Sequence, residues 1–114
     1  MSPTIIFKDG KPVMALGSPC GSRIISYVAQ AIIAVIDWDM SIQEAFDNPH
    51  ITNRFGTFAL EASTEAIELQ APLEAMGYRT VSISLNSGLH GITIKDDTLF
   101  GAADRRREGV VIAD

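Results

Sequence analysis

Residues Gly17-Ser18-Pro19-Cys20-Gly21-Ser22 form a run of turn-forming types directly before a long apolar stretch. Such a loop leads a strand into the start of a helix. The first amides of a helix have no intrahelical acceptor, and the aligned peptide dipoles add positive potential there. Glycine lets a ligand approach the backbone closely, so this loop can hold an anion or a developing oxyanion. The plainer reading is a glycine-rich connection that only turns the chain. Cys20 offers a second chemistry, because a thiol at a helix N-terminus can lose its proton more readily and act as a nucleophile. A base for it would have to be His50 or His90, the only histidines, and neither is placed near Cys20 by sequence. The same histidines lack the cysteine or carboxylate spacing of a metal site. His50 reads as a loop residue after Pro49, and His90 as a strand-end residue. Glu65 and Glu68 share a helical face, where a solvated surface is the ordinary outcome and acid–base work the rarer one. Arg105-Arg106-Arg107 reads as a surface or subunit contact.

These residues need elements to hold them. Ile5-Ile6-Phe7 and Val13-Met14-Ala15-Leu16 flank Asp9-Gly10, a pair that supplies the positive φ angles of a tight hairpin. The spacing predicts a hairpin over 4–17, and its lack of clean alternation suggests cover on both faces. Residues 24–36 carry no charge and repeat Ile24, Val28, Ile32 and Val35 at helical spacing. A helix apolar nearly all round is expected to be central and buried. It falls short of the roughly 20 residues needed to span a bilayer. Ser41 and Glu44 fit a capping box, and Asn48-Pro49 ends the helix they start. Strands are predicted at 51–55 and 57–61 around Gly56. Thr64 caps a further helix that Pro72 kinks or restarts and Gly77 ends. Tyr78 to Leu85 alternates as a half-exposed strand, and a second hairpin turns at Asp96-Asp97.

The order is two strands, two helices, two strands, a helix, then strands. That predicts a mixed α/β (α+β) layered fold rather than strict βαβ alternation, with residues 1–114 as a single domain. A chain of 114 residues has room for one small domain. At 46% hydrophobic and 20% charged, with mean hydropathy +0.18, it is not a disordered chain. A net charge of −5 opposes a nucleic-acid site, and one cysteine builds no disulfide framework. No segment reads as a signal peptide. The apolar fraction is high for so small a domain, which suggests surface that needs a partner, a second copy of the chain included.

Met-Ser-Pro-Thr at 1–4, Lys-Asp-Gly-Lys-Pro at 8–12 and Gly-Ser-Pro-Cys-Gly-Ser-Arg-Ile at 17–24 resemble the γ-glutamyltranspeptidase family. Ser-Ile-Gln-Glu-Ala at 41–45, Asn-Pro-His at 48–50, Leu-Glu-Ala-Met-Gly at 73–77, Gly-Ala-Ala-Asp at 101–104 and Arg-Arg-Glu-Gly at 106–109 continue the likeness in order. The resemblance implies part of an N-terminal-nucleophile hydrolase, an αββα sandwich, and specifically the C-terminal portion of the small subunit. In that family a precursor cleaves itself into two subunits. The new N-terminal threonine then attacks the γ-glutamyl amide of glutathione or a similar donor, and water or an amine takes the acyl group. The family motif has two glycines after Ser-Pro whose N–H groups form the oxyanion hole; those positions are Cys20 and Gly21 here.

The chain departs from the pattern at Cys20. A cysteine keeps the N–H, although positive φ at that position would cost roughly 1–2 kcal/mol. Arg105, where the family commonly has proline, is a second departure at a position that looks structural. By the same resemblance the nucleophilic threonine and a substrate-holding Ser-Ser pair belong before Met1. These residues alone are then expected to be inactive and to need the rest of the small subunit and the large subunit. No cofactor or metal is implied. Family members are often exported, and a related branch acts on cephalosporin side chains. Two readings of other classes stand beside this one: a non-catalytic homo-oligomeric scaffold, and a thiol enzyme using Cys20.

Overall fold

The computed structural model describes residues 1–19 and 21–114. In chain order the elements are β1 (Thr4–Lys8), β2 (Lys11–Gly17), α1 (Ile24–Ile36), α2 (Ile42–Asp47), β3 (Ile51–Arg54), β4 (Thr57–Glu61), α3 (Gln70–Ala75), β5 (Arg79–Ile83), β6 (His90–Lys95) and β7 (Thr98–Ala103). Short 3-10 turns at Gly21–Arg23 and Glu65–Leu69 lead into α1 and α3. The chain forms two compact units, Met1–Asn48 with Asn86–Asp114, and Pro49–Leu85.

The first unit is built on a four-stranded sheet in the order β1-β2-β6-β7, antiparallel throughout. Lys8 pairs with Lys11 across Asp9 (φ +51°) and Gly10 (φ +77°), the two-residue turn expected from Asp-Gly. Asp96 (φ +51°) and Asp97 (φ +60°) turn the second hairpin in the same way. Directly opposed residues share a face of a sheet. One face carries Ile6, Met14, Thr93 and Phe100, with Leu16 and Ala102 two residues on. Met14, Leu16 and Ala102 are buried there together with Ile24, Tyr27, Val28, Ala31 and Ala34 of α1 and Ile42, Ala45 and Phe46 of α2. The Ser41 hydroxyl caps α2 by accepting the Glu44 N–H at 3.1 Å, and the helix ends before Pro49 as the sequence predicts.

Two burial expectations are corrected. Ile5, Ala15, Ile92 and Gly101 line the opposite sheet face, where Ile5 remains about 60% exposed; Phe7, beyond a register shift in β1, is equally exposed. On that face the N- and C-terminal segments and the 18–19 loop residues border a cleft of about 700 Å³ whose lining includes Met1, Pro3, Ile5, Pro19, Val110 and Val111. Helix α1 buries one stripe rather than its whole circumference, and Ile25, Ile33 and Ile36 are exposed. An all-round apolar helix states what could be buried. Burial itself requires a second surface that the described residues of this unit do not supply.

Asp104, just after β7, is fully buried. Its Oδ2 accepts hydrogen bonds from the Ser87 hydroxyl and from the Leu89 N–H at 3.2 Å. Its Oδ1 accepts from the Arg106 N–H at 3.0 Å and from Arg106 Nη1 at 3.1 Å. The guanidinium continues to the carbonyls of Phe46 (2.7 Å) and Asn48 (3.0 Å), closing the C-terminal end of α2. Arg106 was expected in a surface or subunit contact with its neighbours. Instead its side chain is 14% exposed and serves as the buried carboxylate's counter-ion, while Arg105 stays exposed beside Asp47 at 3.6 Å.

The second unit is a three-stranded sheet, β3-β4 antiparallel and β4-β5 parallel. Phe55 (φ +56°) and Gly56 (φ +91°) make its tight turn. Thr64 caps the 3-10 turn by accepting the Ala66 N–H at 3.2 Å. Pro72 lies in the first turn of α3, consistent with a restart, and the helix closes where the Gly77 N–H reaches the Glu74 carbonyl and the Tyr78 N–H reaches that of Leu73. Val81 is 41% exposed, so the apolar face of β5 is less covered than its alternation suggested.

Two outcomes follow from these contacts. Replacing Arg106 by alanine leaves a buried carboxylate without its counter-ion, and urea unfolding should show a loss of about 3–5 kcal/mol. A loss below about 1 kcal/mol, the range of exposed pairs, would mean the pair does not hold the unit together. Glu74 accepts hydrogen bonds from the Thr80 hydroxyl at 2.7 Å and from Gln70 Nε2 at 3.2 Å, and its pKa is lowered, chiefly by Thr80. Its contribution to stability is present above the ordinary carboxylate range and is lost as pH falls through the lowered value. A carboxyl NMR titration should find Glu74 below an ordinary glutamate, and Thr80→Val should move it back up.

Candidate functional site

Strand β2 delivers the chain to the 17–22 loop, with Gly17 paired to His90 of β6. Ser18 turns inward and is buried. Its Oγ accepts the Gly88 N–H at 3.1 Å and donates to the Pro19 carbonyl at 2.9 Å. Gly21 is exposed, and its φ of +64° lies in the left-handed region, where a side chain is strained. A Cβ there would meet no atom within 4 Å, so conformation rather than space calls for glycine. Among the described residues no acceptor is found for the Gly21 N–H.

The 3-10 turn Gly21–Arg23 then starts α1. At its N-cap position Arg23 makes no side-chain capping bond, and the first turn holds no acidic residue. The 13-residue helix therefore presents its positive end with neither a side-chain cap nor an acidic residue in its first turn. An oxygen bearing negative charge fits that electrostatic setting. The companion expectation, that the N–H of Cys20 is the other donor, lies outside the described residues, as does Cys20 as a thiol nucleophile.

The other sequence candidates separate. His90 comes closer to the loop than its place in the sequence suggests: its backbone pairs with Gly17, and its Nδ1 donates to the Gly88 carbonyl at 2.9 Å. His50 is buried in the second unit, where its N–H donates to Glu61 Oε2 at 2.8 Å and its carbonyl accepts from the Glu61 N–H at 3.1 Å. Glu65 and Glu68 are exposed on the 3-10 turn. Among the described residues no cluster of three His, Cys, Asp or Glu side chains could hold a metal ion, and no helix is long and apolar enough to cross a membrane.

Sequence reasoning passed over Ser18, Ser87, Gly88 and Asp104. The available signals were the Ser-Pro step inside the loop and the aspartate two residues before Arg106, but neither announces a contact with residues 86–89.

The fold and the loop together match known proteins over the whole chain. The family model described as gamma-glutamyltranspeptidase matches residues 1–114, and the chain belongs to that family. It is 35% identical over 116 residues to a glutathione hydrolase proenzyme of Bacillus subtilis, a match covering 98% of this chain and 20% of that protein. It is 36% identical over 115 residues to the acylase ACY 1 proenzyme of Pseudomonas sp. strain SE83, covering 99% and 20%. Among solved structures, the γ-glutamyltranspeptidase of Pseudomonas nitroreducens complexed with L-DON superposes with a TM-score of 0.88 at 26% identity, covering 100% of this chain and 62% of that one. The mixed α/β fold is thus that of part of an N-terminal-nucleophile hydrolase. The chain spans about a fifth of the length of the curated relatives it matches.

Proposed function

We propose that residues 1–114 work as one C-terminal portion of a γ-glutamyltranspeptidase-like small subunit and supply the oxyanion-binding loop. The N–H groups of Cys20 and Gly21 are the donors. A threonine hydroxyl from another part of the enzyme adds to the γ-glutamyl carbonyl of a glutathione-like donor. The carbonyl oxygen becomes negatively charged, and the two N–H groups stabilise it where the charge develops. As the tetrahedral species collapses, the proton lost by the threonine hydroxyl passes to the departing nitrogen, the amine leaves and the acyl-enzyme remains, which water or an amino acid then resolves. The observation that carries this reading is the Gly21 amide: exposed, left-handed at φ +64°, and without an acceptor among the described residues at the start of α1.

Oriented donors lower a barrier but form no acyl-enzyme without a nucleophile, so this portion is inactive by itself and depends on the remainder of the small subunit and on the large subunit. Exposed Ile5, Phe7 and Ile25 support self-association when it is made alone. The identity to an acylase proenzyme favours a second reading of the donor, a different amide with the same loop chemistry.

The polypeptide of residues 1–114 should release no p-nitroaniline from γ-glutamyl-p-nitroanilide above a heat-denatured control. Turnover by that polypeptide would overturn the proposed division of labour. In the assembled enzyme, Gly21→Ala strains the left-handed position and should lower kcat about 10²-fold, comparable to losing one oxyanion donor, with KM little changed. An unchanged kcat would remove Gly21 from the site.

A further inference from the structure

The segment Ser87-Gly88-Leu89 lies between the buried carboxylate and the candidate loop, and every residue in it is tied. Ser87 and Leu89 both donate to Asp104 Oδ2, and the Leu89 carbonyl accepts the Asp104 N–H at 2.8 Å. Gly88 donates its N–H to Ser18 Oγ and receives the His90 Nδ1 proton on its carbonyl. Gly88 also comes so close to the loop that a Cβ on it would lie 2.8 Å from Pro19 Cγ and 2.9 Å from Pro19 Cδ and Arg107 Cδ. Ser18, Ser87 and Asp104 are each at most 3% exposed, so water does not compete freely for these bonds.

We infer that Asp104 and Ser18 are positioning residues for the oxyanion loop, acting through Ser87-Gly88-Leu89. The inference rests on the reading of that loop given above. Asp104 fixes the segment, Gly88 fixes the Ser18 hydroxyl, and that hydroxyl holds the Pro19 carbonyl. A peptide unit is planar, so holding its carbonyl oxygen restrains the plane of the whole unit. The Pro19 carbonyl belongs to the unit that carries one of the two proposed donor N–H groups. Hydroxyl and carboxylate here touch no reacting atom. They restrain the carbonyl end of that unit, and the contribution of a donor depends steeply on aim.

The test compares two ligands on the assembled enzyme. One is a boronic acid analogue of glutamate, which becomes tetrahedral when the nucleophile adds and carries an oxygen where the oxyanion would be. The other is glutamate, the planar product. A residue that only stabilises the fold changes the fraction of active enzyme and leaves the ratio of the two affinities alone. Ser18→Ala should lower that ratio by about tenfold, within the roughly 10²-fold that a misplacement of about 1 Å can cost. Ser18→Thr, which keeps the hydroxyl, should restore it, and Asp104→Asn should lower it. Ser87→Ala, which removes one tie to the carboxylate, should lower it too and takes the place of Asp104→Asn where that variant does not fold. Gly21→Ala is the reference. A ratio that falls in Gly21→Ala but is unchanged in Ser18→Ala and in Ser87→Ala would overturn the positioning role and leave the oxyanion loop standing. A ratio unchanged in Gly21→Ala would overturn the loop itself, and the positioning role with it.

Discussion

A carboxylate with no exposure to water must be neutralised and hydrogen-bonded at both oxygens, or its burial is prohibitive. Asp104 meets that demand by drawing partners from three places in the chain. Ser87 and Leu89 come from the approach to β6, and Arg106 comes from beyond β7. Through Arg106 the carbonyls of Phe46 and Asn48 join from the end of α2. None of these pieces has much regular structure of its own there. Their geometry is decided by one charge that cannot be left bare. The first unit is therefore stitched at the joints between strands and helices.

The ties to that carboxylate extend through Gly88 to Ser18, at the start of the loop before α1. A helix N-terminus offers unpaired N–H groups as a matter of geometry, but a loop leading into it ordinarily has conformational freedom that blurs their direction. Here the inward-facing Ser18 exchanges that freedom for bonds to Gly88 and to the Pro19 carbonyl. Gly21 remains outside, left-handed and accessible. Ser18 thus belongs to the core and Gly21 to solvent.

What could be read from the sequence divides along the range of the interactions. The Asp9-Gly10 turn, the Ser41 cap, the stop at Asn48-Pro49 and the close of α3 at Gly77 depend on neighbours within a few residues, and each forms where expected. The loop was legible as a turn-forming run before a helix, but the left-handed conformation of Gly21 was not read from it. Burial was misread wherever it depended on what lies opposite. Ile25, Ile33, Ile5 and Phe7 are apolar yet exposed, because periodicity records a preference and not the surface that would satisfy it. Arg106 was misread in the opposite sense. Among three consecutive arginines nothing local marks the one whose partner is a buried aspartate, and the carbonyls it also reaches lie some sixty residues away in sequence. The tie between Ser18 and Gly88 spans 70 residues and left no local trace either.

A buried anion tied through Ser87-Gly88 to the loop proposed to bind a developing negative charge poses an electrostatic problem, since an isolated carboxylate would oppose that charge through a low-dielectric interior. The paired guanidinium resolves it. With Nη1 of Arg106 at 3.1 Å from Asp104 Oδ1, the two charges form a dipole whose potential falls off much faster with distance than that of either charge alone. The carboxylate can then serve as a rigid acceptor for Ser87 and Leu89 without imposing a net negative field on the residues they support. The peptide dipoles of α1 then contribute a fixed positive potential at the loop, beside the charges of Arg23 and Arg107. Exchanging Asp104 for a neutral acceptor while leaving Arg106 would remove the opposing charge and strand a buried cation in its place. The pair is therefore the smallest unit that delivers stiffness without an adverse field.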